Sequence, residues 1–172
     1  MSPGAPPPAE WPEEVSDLYS PIRVIGKGGF ASVWMAKKKD NNSGSLDKDS
    51  HVAVKIMKND GYAAREVAIL SELSKKYSHP NIMRLLQHFQ AKKGDPSKGL
   101  ACGVNVTVLS LARGPTLNHI LSKYGGLGLV IAQTISRQLI DAVAFLHGHA
   151  GEFLDIRFVH LLLLLENVTI IS

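Results

Sequence analysis

Residues 21–39 read PIRVIGKGGFASVWMAKKK and residues 51–57 read HVAVKIM, and these two stretches decide the fold. In the first, Val33 and Met35 alternate with Trp34 and Ala36, the two-residue period of a strand with two different faces. Gly26-Lys27-Gly28-Gly29 separates that strand from the β-rich run before it, so the segment reads as strand, glycine turn, strand. The polar connection KDNNSGSLDKDS (39–50) leads into HVAVKIM, a third strand rich in β-branched residues. Three sequential strands joined by turns predict an antiparallel meander.

Working outward, Tyr62 to Lys76 repeats Val67, Leu70, Leu73 and then Tyr77 at three- and four-residue spacing, which predicts a helix. Lys75 and Lys76 suit its C-terminal end, and Pro80 stops it. Ile82–Phe89 and Val104–Leu111 read as two more strands across the loop AKKGDPSKG. A short helix over Leu117–Tyr124 ends at Gly125-Gly126. A longer one over Val130–His147 carries Ile131, Ile135, Leu139, Ala142 and Leu146 on one stripe. The order is five strands with one inserted helix, then helices, an α+β chain. Residues 1–17 hold five prolines and little that packs, which predicts an unstructured tail to about residue 18.

The bulk composition is that of a globular domain: 45% hydrophobic and 20% charged over 172 residues. The net charge of +4 comes from lysines in short separate groups broken by acids and turns, so no nucleic-acid surface is expected. Cys102 is the single cysteine, which excludes an internal disulfide and fits a reducing, cytoplasmic or nuclear setting. No secretory leader is evident, and the apolar run 158–165 is far short of the ~20 residues of a membrane span. No membrane partner is expected.

The chemistry begins at Gly26-Lys27-Gly28-Gly29-Phe30-Ala31-Ser32-Val33. Glycines remove Cβ atoms, so bare backbone N–H groups can approach an anion. Alone the turn is ambiguous. It could be a plain hairpin, or the turn of a dinucleotide-binding unit, which needs an amphipathic helix directly after it. The residues that follow alternate like a strand. Lys55, within the apolar strand Ala53-Val54-Lys55, needs a counter-charge unless it points to solvent, because an unpaired buried charge is costly. Glu66 on the following helix is the candidate.

G-x-G-x-x-A-x-V, then VAVK, then a helical Glu, then HPNI (79–82) resembles the small lobe of a eukaryotic protein kinase. KIMKNDGYAAREVAIL, QLIDAVAFLHG and the V-H…E-N-V stretch are similar to the SR-protein kinase and LAMMER kinase branch. The resemblance spans about residues 19 to 171. It implies a protein-kinase-like fold: a five-stranded antiparallel small lobe with one αC-type helix over 19–113, then a truncated helical large lobe over 114–172. It also implies ATP and Mg²⁺ as ligands. Gly26, Lys27, Gly28 and Gly29 would cover the phosphates, and Ile25, Val33 and Ala53 would sandwich the adenine. Lys55 would hold the α- and β-phosphates and pair with Glu66. Ser110 would guard the back of the pocket, and Leu111 to Arg113 would form the hinge. A protein substrate is implied, Arg/Ser-rich by the subfamily resemblance alone.

The chain departs from the family in three places. Ala31 stands at the third glycine. Ten residues separate Lys55 from Glu66, a short spacing for this branch. Most consequentially, the family's catalytic loop H-R-D-L-K-P-E-N (H-T-D-L-K-P-E-N in the SR branch) is here His160-Leu161-Leu162-Leu163-Leu164-Leu165-Glu166-Asn167. Leu162 stands at the Asp position and Leu164 at the Lys position. Losing the general base alone costs roughly 10²–10⁴ in rate. Asn167 could still bind one metal ion, but the sequence stops before any D-F-G segment. The expectation is a kinase-family domain with an ATP-binding small lobe and little or no phosphotransfer. Two alternatives stand beside it: a non-catalytic interaction module, and an active Ser/Thr kinase of which this sequence is incomplete or corrupted.

Overall fold

The computed structural model describes residues 11–39, 51–58, 61–93, 102–112, 114 and 117–149. The elements run α1 (Glu13–Ser16), β1 (Tyr19–Lys27), β2 (Ala31–Lys38), β3 (His51–Lys58), α2 (Gly61–Lys76), β4 (Leu85–Lys93), β5 (Cys102–Ser110), α3 (Leu117–Tyr124) and α4 (Leu129–Gly148). The strands form one antiparallel sheet in the order β1-β2-β3-β5-β4. The expected five strands, inserted helix and trailing helices are all present. The fourth strand starts later than the sequence suggested, at Leu85, because Pro80 and Asn81 form a turn that the Ile82 N–H closes on the His79 carbonyl at 3.2 Å.

The alternation read in β2 is real and sets the two faces of the sheet. Trp34 and Ala36 are buried on one face with Val52, Val54 and Ile56 of β3 and Val104, Val106 and Val108 of β5. Val33 and Met35 point to the other face and are half-buried. β1 carries an extra residue at Ile22 and again at Ile25, where the pairing steps from Pro21 to Arg23 and from Val24 to Gly26. Such bulges bend a strand and sharpen its twist, here just before the glycine turn.

The apolar face has a cover that composition alone did not reveal. Trp11, Pro12 and Val15 are buried, and Trp11 and Val15 belong to the same core as Trp34. The expectation of an unstructured tail to residue 18 is therefore corrected from Trp11 onward. The proline count masked two apolar anchors, Trp11 and Val15, that a short turn of helix brings onto one side. Trp11 meets Trp34 edge to face at 5.7 Å, and Lys39 donates its backbone N–H to the Leu18 carbonyl at 2.9 Å. Residues 1–10 lie outside the described residues.

The chain divides into two compact units: residues to Val67 with Leu85–Leu111, and Ala68–Arg84 with the residues from Ala112 onward. The first unit holds the sheet and the opening turns of α2. Within the second, the Asn81 side chain donates to the Gln138 carbonyl of α4 at 3.2 Å, while its backbone N–H is accepted by His79 Nδ1 at 3.2 Å. Tyr77 packs edge-on against Phe145 and lies 4.3 Å from the His149 ring. Gly125 closes α3 with φ +70°, donating to the Leu121 carbonyl at 2.8 Å, the left-handed cap that glycine favours. α4 is long and apolar enough to cross a membrane by composition. It carries Arg137 and Asp141 and buries Ile135, Ala142 and Leu146 along one side.

Candidate functional site

The face of the sheet away from Trp34 collects the chemistry-bearing residues of the first unit. One row across it runs Val33 on β2, Lys55 on β3, Thr107 on β5 and His88 on β4, each directly opposite the next. The neighbouring row runs Met35, Ala53, Leu109 and Leu85. Val33, Ala53 and Lys55 thus share a face because they are spaced by two or paired across the ladder.

Lys55 Nζ donates to both Glu66 carboxylate oxygens, at 2.7 and 2.9 Å. Its side chain is 12% exposed and that of Glu66 14%. The short spacing from Lys55 to Glu66 is therefore sufficient, since α2 begins at Gly61 and presents Glu66 on its second turn. At this burial the Coulomb gain is largely offset by desolvation, so the pair contributes position more than stability. It fixes one cationic group within the otherwise apolar run from Val52 to Met57.

At the mouth of this face lies the glycine turn, closed by the Gly28 N–H donating to the Ala31 carbonyl at 2.9 Å. A Cβ on Gly26 would make only ordinary 3.6 Å contacts with Val33, one on Gly28 would meet the Ala31 oxygen at 3.9 Å, and one on Gly29 would meet nothing within 4 Å. None of the three has positive φ. Among the described residues, neither crowding nor backbone conformation demands these glycines. Phe30 stands 82% exposed at the tip. Ile25 is the half-buried bulge residue before Gly26, and Lys27 is exposed at the end of β1.

The register corrects one assignment. Ser110 pairs with Val52, whose side chain belongs to the Trp34 core, whereas Leu109 pairs with Ala53 and is 4% exposed. Leu109, not Ser110, is the residue beside Ala53 and Lys55. Strand register cannot be read from one sequence, and a slip of one residue exchanges faces. The same uncertainty hid a polar stripe behind Lys55: Thr107 is fully buried with no partner for its hydroxyl among the described residues, and Asn105 Oδ1 lies 3.1 Å from His88 Nε2. Leu111 follows β5 and is half-buried. Arg113, Leu162, Leu164 and Asn167 lie outside the described residues.

Chemically, the face offers bare backbone amides at a turn, one paired cation and an apolar strip of Val33, Ala53 and Leu109. That combination suits a flat apolar group carrying an anionic tail.

Comparison with known proteins agrees with this layout. The family described as protein kinase domain matches residues 19–171. Serine/threonine-protein kinase SKY1 of Saccharomyces cerevisiae is 29% identical over 163 residues, covering 87% of this chain and 20% of that protein. Mitogen-activated protein kinase kinase kinase ANP1 of Arabidopsis thaliana is 27% identical, covering 92% of this chain and 23% of its own length. Among solved structures, the crystal structure of Rad53 1-466 in complex with AMP-PNP aligns with a TM-score of 0.55 at 25% identity, covering 79% of this chain and 32% of that one. The chain spans about a fifth to a quarter of the length of these curated relatives.

Proposed function

The chain belongs to the protein kinase domain family, and on that premise we propose that its first unit binds ATP while the chain itself is a poor phosphotransferase. The observation that carries the reading is the pairing of Lys55 with Glu66 on the face reached by glycines that the fold does not need. Val33, Ala53 and Leu109 would contact the adenine, with Ile25 above and the Leu111 backbone at its edge. The Gly26–Gly29 backbone would cover the phosphates, and Lys55 would meet the α- and β-phosphate oxygens. Mg²⁺, when bound, neutralises charge on the β- and γ-phosphates; Asn167 is the residue this sequence offers for it by resemblance. The AMP-PNP complex of the similar Rad53 structure supports a nucleotide of this class.

Poor transfer follows from Leu162 and Leu164. An isobutyl group neither accepts a hydroxyl proton nor steadies a phosphoryl group, so both general-base and electrostatic help are lost. For substrate class we place the chain nearest the SR-protein kinase branch on the residues quoted above. An Arg/Ser-rich protein would then be the ancestral substrate.

Thermal denaturation with and without Mg-ATP, repeated for Lys55→Ala, tests the reading. A ligand that binds only the folded state raises the melting temperature. An ATP-dependent rise that Lys55→Ala abolishes supports a working nucleotide site. No shift at millimolar ATP sinks it. Transfer of labelled γ-phosphate to an Arg/Ser peptide at an ordinary kinase rate would refute the second half of the proposal.

A further inference from the structure

A continuous set of contacts links the N-terminal segment to the glycine turn. Trp11 stands edge-on to Trp34 at 5.7 Å, with the ring planes 74° apart. Trp34 Nε1 donates to Ser32 Oγ at 3.3 Å, and both residues are buried. Ser32 directly follows Ala31, whose carbonyl accepts the Gly28 N–H that closes the turn. Ser32 and Trp34 are two apart on β2 and so share the face that Trp11 and Val15 cover. Trp11 lies ahead of the family match, which begins at residue 19. Its own Nε1 is buried with no hydrogen-bond partner among the described residues.

We infer that Trp11, Trp34 and Ser32 are positioning residues for the glycine turn: the segment 11–18 seats Trp34, and the Trp34 indole holds Ser32 and with it the base of the turn. The physical warrant is that a buried hydroxyl and a buried indole N–H satisfy each other, and losing either leaves the other unpaired. Without that restraint the turn keeps its hairpin closure but gains freedom at Ala31 and Ser32. The consequence for ligand affinity rests on the nucleotide reading above. The restraint on the turn does not.

The test therefore begins without ligand. Amide hydrogen exchange is followed in the full chain for residues 26–33, with the fully buried strand positions Val54 and Val106 as the reference for global opening. Trp34→Phe keeps an aromatic ring against Trp11 but removes the donor; Ser32→Ala removes the acceptor; Ser32→Thr retains it. Trp34→Phe and Ser32→Ala should each speed exchange in 26–33 by roughly two- to tenfold, the range one neutral hydrogen bond supports. Each factor is taken relative to Val54 and Val106, which report any loss of global stability, and Ser32→Thr should behave as wild type. Trp11→Ala should speed the same residues beyond whatever it does to the reference, and adding Trp34→Phe to it should give less than the product of the two effects. Exchange in 26–33 that is unchanged, that rises only in step with Val54 and Val106, or that is equally fast in Ser32→Thr overturns the inference. Mg-ATP binding is then measured on the same variants. A two- to tenfold loss in Trp34→Phe extends the role to the ligand. If the wild-type chain gives no ATP-dependent melting shift while its turn responds to the variants, the nucleotide reading falls and the positioning role stands.

Discussion

Gly28 is free to carry a side chain as far as the protein alone is concerned, since its φ is not positive and a Cβ there would meet only one carbonyl oxygen at 3.9 Å. An alanine at such a position reduces the entropy of the unfolded chain and stabilises by about 0.4–1 kcal/mol. The cost should appear only against a ligand approaching the backbone. Gly28→Ala is therefore expected to hold or raise the melting temperature of the unliganded chain while weakening Mg-ATP binding about tenfold or more, ~1.4 kcal/mol. Paired calorimetric titration and melting curves check this, and a parallel loss of stability and affinity would show the glycine to be structural. Lys55 gives the opposite profile. Lys55→Ala leaves the Glu66 carboxylate at 14% exposure without its cation, so a stability loss of about 1–3 kcal/mol should accompany the loss of binding. Adding Glu66→Ala should recover part of that stability, since the stranded charge is then gone. It should recover none of the binding.

At the scale of elements, the short α1 turn and the start of β1 matter more than their length suggests. Val15 is fully buried, whereas Val24 is 39% exposed. Val15→Ala should cost about 1–3 kcal/mol in denaturant unfolding, and Val24→Ala no more than ~0.5. Tyr19 donates its hydroxyl to Gln87 Oε1 at 2.9 Å, tying β1 to β4. Burial raises its pKa above the ordinary 10.0. The folded state therefore favours the neutral phenol. Its contribution is intact below the unfolded pKa and is lost as pH climbs from about 10 through the raised folded value. Unfolding at pH 8 to 11 should show this fall in wild type and a shallower one in Tyr19→Phe. The strands, α2 and α4 were legible because their apolar periods are strong, and Lys55 with Glu66 because a charge in an apolar strand demands a partner. α1 was not, because four helical residues carry no period and the nearby prolines suggest disorder. Leu109 was missed because the alternation of β5 is visible in the sequence but its register against β3 is not.

For the whole molecule, the decisive feature is that every described group of the candidate site falls in one unit. Gly26 to Gly29, Val33, Ala53, Lys55, Glu66, Leu109 and Leu111 all belong to the unit that contains the sheet. The second unit exposes Leu129, Val130 and Ile140 on α4 and contributes none of them. A ligand stabilises against opening those segments whose folding its site requires, so protection follows the site rather than the chain. Hydrogen exchange with saturating Mg-ATP should therefore slow amides in β1, β2, β3 and β5 together with the first turns of α2. α3 and α4 should exchange as they do without ligand. Equal protection of α4 would mean that the two units open as one cooperative body or that the second unit supplies ligand contacts. In either case the adenine and phosphate groups could no longer be assigned to the first unit alone. Protection confined to the first unit, in a chain that transfers no phosphate, would separate nucleotide binding from catalysis within one protein kinase domain sequence. Leu162 and Leu164 would then mark where the chemistry was lost while the binding face stayed intact.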